Sequence, residues 1–145
     1  MISGENPCPG EIHRLTLRNS VAELARLADW IDRIDLAVRP AARVAYALRL
    51  CLEEAVANII AYAFEPDSAH LIVIEVWRQG TLIQATVTDD GRTFNPLKVP
   101  EPAKLVDISS APIGGFGIKL MRQFASHITY TRADRRNQLQ FSFED

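Results

Sequence analysis

The chain has 145 residues, 48% of them apolar and 23% charged, enough to bury the core of one globular domain. Its 16 Lys and Arg against 18 Asp and Glu leave a formal charge of -2, which gives no global pull on polyanions and excludes a strongly basic nucleic-acid binder. Isolated cysteines (Cys8, Cys51), scattered histidines (His13, His70, His127) and the lack of a long apolar run point to a cytoplasmic protein with no disulfide framework, transition-metal site or membrane span.

Residues 1–10, with Gly4, Pro7, Pro9 and Gly10, read as a loose tail, and residues 11–145 as a single domain. After Glu11, I-H-R-L-T-L alternates like a half-buried strand. Ser20 and Glu23 are spaced as a capping box, opening a helix expected to reach about Leu36. Pro40 can start a second helix, whose apolar positions run from Val44 through Leu48, Cys51, Leu52, Ala55 and Val56 to Ile60 before Pro66 stops it. L-I-V-I-E-V-W and L-I-Q-A-T-V-T then form a hairpin that turns near Gly80.

Residues 92–113 carry Pro96, Pro100, Pro102 and Pro112 without a helical period, and a loop of that length reads as a functional lid. After Gly114-Gly115-Phe116-Gly117, I-K-L-M-R-Q-F-A is helical in pattern. I-T-Y-T-R and N-Q-L-Q-F-S-F close the chain as a hairpin whose tip, with Arg132, Asp134, Arg135 and Arg136, is expected to be solvated. Strands and helices are grouped rather than alternating, which favours an α+β two-layer sandwich over a doubly wound sheet.

Three motifs carry chemistry. Glu54 and Asn58 are four apart and share a helix face, whereas Glu53 points about 100° away, toward solvent or a partner. An Asn within an apolar helix needs its amide satisfied, and taken alone it reads as a buried side chain bonded to backbone. Asp89-Asp90-Gly91 ends a strand, a common turn in isolation. Gly114, Gly115 and Gly117 precede a helix whose first amides can receive phosphate. Neither a P-loop nor a G-x-G-x-x-G fingerprint is present.

In their order, E-E-A-V-A-N, D-D-G-R-T-F-N-P and G-G-F-G, together with N-x-L-x-F on the last strand, resemble the GHKL (Bergerat-type) ATPases, and among them the anti-sigma-factor serine/threonine protein kinases. The resemblance implies a mixed, mostly antiparallel sheet covered on one face by about three helices. It implies ATP and Mg²⁺ as cofactors, with Glu54 as the general base and Asn58 as the metal ligand. Asp89 would read adenine, Gly91 would let the backbone approach the base, and Gly114, Gly115 and Gly117 would bind phosphate. Phe94 either covers the base or joins the core. The implied partner is a small antagonist protein phosphorylated on Ser or Thr, with a sigma factor or another client beyond it and a homodimer as the assembly. A non-catalytic ATP-binding module that binds the same partners is the alternative.

Overall fold

The computed structural model describes residues 10–98 and 115–145. The elements in chain order are β1 (His13–Arg18), α1 (Leu24–Val38), α2 (Ala42–Tyr62), β2 (Leu71–Gln79), β3 (Leu82–Asp89), α3 (Gly115–Phe124), β4 (His127–Ala133) and β5 (Arg136–Glu144). The five strands form one sheet in the order β1-β2-β3-β5-β4, with each neighbouring pair antiparallel. The α+β architecture expected from the sequence is therefore present, with no parallel pairing among the described strands.

Alternation along the strands sends one set of side chains to the helices. Leu15 and Leu17 of β1, Ile72, Ile74 and Val76 of β2, Ile83, Ala85 and Val87 of β3, and Leu139, Phe141 and Phe143 of β5 are all buried. The register lines them up in rows across the sheet, such as Leu15–Ile74–Val87–Leu139–Tyr130. α2 packs on β3 and β5, α1 lies over β1 and β2, and α3 sits beside α2. The buried stripe of α2 includes Val44, Leu48, Leu52, Val56 and Ile59, as the sequence period requires. Among the described residues no helix is long and apolar enough to cross a membrane.

Several local expectations change. Ser20 makes no side-chain cap: its carbonyl accepts the Glu23 amide at 2.9 Å in a 3-10 turn over Val21–Glu23, which takes the donor that a capping box would use. The Glu23 carboxylate instead accepts from the Arg18 amide at 3.4 Å and the Arg26 guanidinium at 3.1 Å. α1 runs to Val38 and stops where Arg39 turns left-handed at φ 54. α2 begins at Ala42 and ends at Tyr62, well short of Pro66. The β2–β3 hairpin turns on Gly80 at φ 62, as expected. Residues 1–9 of the expected tail and residues 99–113 of the lid expected over residues 92–113 lie outside the described residues.

The far end of the sheet is tied to the α1–α2 junction. The Arg78 guanidinium donates to Asp145 Oδ2 at 2.6 Å, to the Gly80 carbonyl at 3.0 Å and to the Val38 carbonyl at 3.1 Å. Asp145 Oδ1 accepts from the Ala41 amide at 2.6 Å. That amide bond, followed by the Arg78 bond, holds the Asp145 carboxyl below its ordinary 3.8. The depressed value means the bonded carboxylate stabilises the fold above pH 3.8, and that this contribution is lost as pH falls through the folded-state value. Asp145→Asn is accordingly expected to be less stable than the parent at neutral pH, with the gap closing below pH 3.8; denaturant melts across that range test it, and a gap independent of pH refutes it.

In the β4–β5 turn, Asp134 and Arg135 both have positive φ, at 51 and 62, the signature of a type I′ hairpin. An L-residue bearing a Cβ is disfavoured there by about 1–2 kcal/mol. Arg135→Gly is expected to raise stability by up to about 1 kcal/mol once the greater chain entropy of glycine is subtracted. Chemical denaturation reads this directly, and a lower midpoint contradicts the turn assignment.

Candidate functional site

The sheet face that packs on α2 is apolar until its last row, where Asp89 stands directly opposite Asn137. Both are 4% exposed, and Asn58 on the overlying helix is 5% exposed. These three polar residues converge on one recess walled by Ala55, Ile59, Val87, Met121 and Leu139, with Phe94 and Tyr130 at its sides. The recess is narrow and partly open to solvent. A few polar groups set among apolar walls is the usual composition of a small-molecule site.

Asp89 Oδ1 accepts from the Gly91 amide at 2.9 Å and from Asn137 Nδ2 at 3.0 Å. Burial pushes the Asp89 carboxyl above 3.8, opposed by these two hydrogen bonds and reinforced by the neighbouring Asp90 charge. Asn58 Nδ2 is buried and has no hydrogen-bond partner among the described residues, unlike the plain account of an amide whose donors are bonded to backbone. An orphaned buried donor at the wall of a recess fits a polar ligand arriving there.

Gly91 has a packing reason of its own. A Cβ at this position would lie 2.4 Å from the Ala63 carbonyl oxygen and 2.9 Å from Asp89 Oδ1. The strand-end loop is thus pressed against the C-terminal end of α2, where the Arg92 amide also donates to the Ala63 carbonyl at 2.8 Å. Phe94 is half-buried, borders the recess and lies 5.9 Å from the Tyr62 ring, centroid to centroid. Further on, Asn95 Oδ1 accepts from the Leu97 amide at 2.9 Å and Pro96 is buried.

Glu54 is half-buried on the Asn58 side of α2 but is not among the residues lining the recess. Cys51, one turn earlier, is fully buried; that burial, with the Glu54 charge, pushes its thiol up to about 12, which leaves it unreactive. Glu53 is paired within the chain, 3.4 Å from Arg49, which also bridges to Asp32 of α1. Gly115 and Gly117 lie inside the first turn of α3 rather than ahead of it, and Gly114 falls outside the described residues. No group of three His, Cys, Asp or Glu side chains able to hold a metal occurs among the described residues.

Asn137, Tyr130 and Arg132 line or brace the site without having been singled out from the sequence. Asn137 Nδ2 donates to Asp89 Oδ1 and, at 2.7 Å, to the Arg92 carbonyl; its Oδ1 accepts from the Tyr130 hydroxyl and, at 3.4 Å, from the Phe94 amide. Arg132, expected in a solvated tip, donates to the Gly91 carbonyl at 2.7 Å. The available signal was the N-x-L-x-F ending, but only strand order sets its Asn beside Asp89.

Comparison with known proteins agrees with this fold. A family model described as the histidine kinase-like ATPase domain matches residues 17–143. The serine/threonine-protein kinase BtrW of Bordetella bronchiseptica is 31% identical over 110 residues, covering 76% of this chain and 78% of that protein. Among solved structures, a chain with the RsbU and RsbW domains of Rv1364c from Mycobacterium tuberculosis superposes with a TM-score of 0.68 at 12% identity. It is matched over 94% of this chain, which spans only 33% of that longer one. The histidine kinase domain of the blue-light activated histidine kinase EL346 from Erythrobacter litoralis gives a TM-score of 0.52 at 19% identity, over 85% of this chain and 59% of the other. At those identities the two structures speak for the fold alone. The family model takes in α2, the Asp89–Gly91 loop and the closing hairpin, and the chain belongs to the histidine kinase-like (GHKL) ATPase family.

Proposed function

We propose that residues 11–145 act as one ATP-dependent serine/threonine protein kinase domain, which transfers a phosphoryl group to a Ser or Thr hydroxyl of a small antagonist protein in a partner-switching circuit. The observation that carries this reading is the convergence of Asn58, with its unpartnered Nδ2, and the buried Asp89 on one apolar recess. The family match and the kinase name of the BtrW relative support it. A sigma factor or another client, and a homodimer, belong to the same reading.

In this reading the adenine ring enters between Ile59, Val87, Met121 and Leu139, and Asp89 accepts a hydrogen bond from its exocyclic amine. The flat apolar walls exclude water, which strengthens the polar contact at the end of the recess. Asn58 offers an amide oxygen of the kind that ligates Mg²⁺, and with no carboxylate cluster among the described residues the nucleotide phosphates would supply the negative ligands. Mg²⁺, when bound, neutralises charge that develops on the phosphates. Glu54, on the same side of α2, accepts the proton of the acceptor hydroxyl, and backbone amides in the first turn of α3 hold phosphate oxygens.

One observation favours a second reading, a nucleotide-binding module without turnover: Glu54 stands outside the recess lining. Substitution separates the two. Glu54→Gln is expected to keep ATP affinity while phosphoryl transfer to the antagonist falls by about 10² or more. Transfer that is undiminished, measured with labelled ATP and the purified partner, removes Glu54 from the chemistry.

Asp89→Asn tests the base contact and carries a stability signature. The substituted amide keeps an oxygen for the Gly91 and Asn137 donors, yet removes a charge that burial disfavours. A raised folded-state value means the carboxylate's cost is full above that value and vanishes below 3.8. The variant is therefore expected to melt no lower than the parent at pH 7 while losing ATP binding by calorimetry. Retained, adenine-selective binding contradicts the assignment.

A further inference from the structure

An aspartate alone does not select adenine. A free carboxylate has two oxygens and about four lone-pair positions, and it matches two adjacent N–H donors in a fork. The Watson–Crick edge of guanine offers such a pair, its ring N1–H beside its exocyclic amine, whereas adenine offers one amine beside a ring acceptor. An Asp89 with both oxygens available would thus hold guanine at least as well as adenine.

Asp89 does not have both oxygens available. The two lone-pair directions of Oδ1 are taken by the Gly91 amide at 2.9 Å and by Asn137 Nδ2 at 3.0 Å, which leaves Oδ2 to accept from a base. The Gly91 donor is fixed by the close packing of its backbone on Ala63. Asn137 is fixed by its own valence: both amide hydrogens are used, on Asp89 and on the Arg92 carbonyl, and its oxygen serves the Tyr130 hydroxyl and the Phe94 amide. Turning the amide over would set its oxygen against the Asp89 and Arg92 oxygens and its nitrogen against the Phe94 amide, leaving at most the contact with the Tyr130 hydroxyl. Guanine would then meet one acceptor with two donors and leave an N–H unpaired in a recess walled mainly by carbon.

We propose that Asn137 is the specificity-determining residue of this site, which excludes guanine nucleotides by saturating Asp89 Oδ1 and reducing the carboxylate to a single-oxygen acceptor. The inference rests on the reading of the recess as an adenine-nucleotide site. Asn137 is a positioning residue in this role, since it reaches the base through Asp89.

The test is calorimetric titration of ATP and of GTP, each with Mg²⁺, into the parent chain and into Asn137→Ala, Asn137→Val and Gln140→Val, with thermal unfolding to show that each is folded. Two Asn137 variants are used because valine keeps strand propensity if alanine does not support the fold. The parent is expected to prefer ATP, and both Asn137 variants to lower that ATP-to-GTP preference by about tenfold or more, the scale set by one unpaired buried donor. Gln140→Val lies on β5 outside the recess lining, leaves every Asn137 bond in place and is expected to keep the parent's ratio. A folded Asn137 variant with an unchanged ratio overturns the inference while ATP binding stands. An equal loss of ratio in Gln140→Val also overturns it, because general loosening of β5 then accounts for the effect. A parent chain that binds neither nucleotide overturns the adenine-site reading itself.

Discussion

The antiparallel register of β3 against β5 is the constraint on which the site depends. It places Val87 opposite Leu139 and, two residues on, Asp89 opposite Asn137, so the same ladder that builds the apolar core ends in a polar pair. A slip of β5 by one residue would send Asn137 to the open face together with every core side chain of that strand, and leave Asp89 without its partner. Ile83, Ala85 and Val87 against Phe143, Phe141 and Leu139 therefore specify the site as firmly as they specify the core.

From that row the rest of the recess is assembled by backbone contacts. Gly91 brings the end of β3 against the end of α2, and Arg132 of β4 grips the Gly91 carbonyl from the other side. α2 then sets Asn58 over the row, one turn after Ala55 and next to Ile59, whose side chains wall the recess. Elements distant in sequence thus hold the loop between two rigid supports, as a binding site placed on a scaffold requires. The arrangement has a stability cost: a carboxylate whose burial disfavours its charge and an amide donor left unpaired both lie inside an otherwise apolar core.

The superposition at 12% identity with a TM-score of 0.68 is consistent with this division of labour. Core positions such as Leu52, Val56 and Ile74 accept many apolar side chains of similar volume, so the layers persist as sequences diverge. Polar positions at the end of the sheet are bound by hydrogen-bond valence, which few side chains satisfy.

Periodicity alone was sufficient to mark the strands, the long apolar stripe of α2 and the Gly80 hairpin, because these follow from local geometry and from Gly at positive φ. Spacing also separated Glu54 from Glu53, which the structure places in an ion pair with Arg49. Short-range signals failed where a competing backbone bond won, as at Ser20, whose carbonyl took the donor its hydroxyl was expected to cap. The tertiary structure alone decided that β5 lies between β3 and β4, that Asn137 faces Asp89 and that Arg132 braces Gly91. The physical reason is that residue patterns encode which face a side chain takes, whereas its neighbours across a sheet are set by pairing between segments 48 residues apart, as Asp89 and Asn137 are.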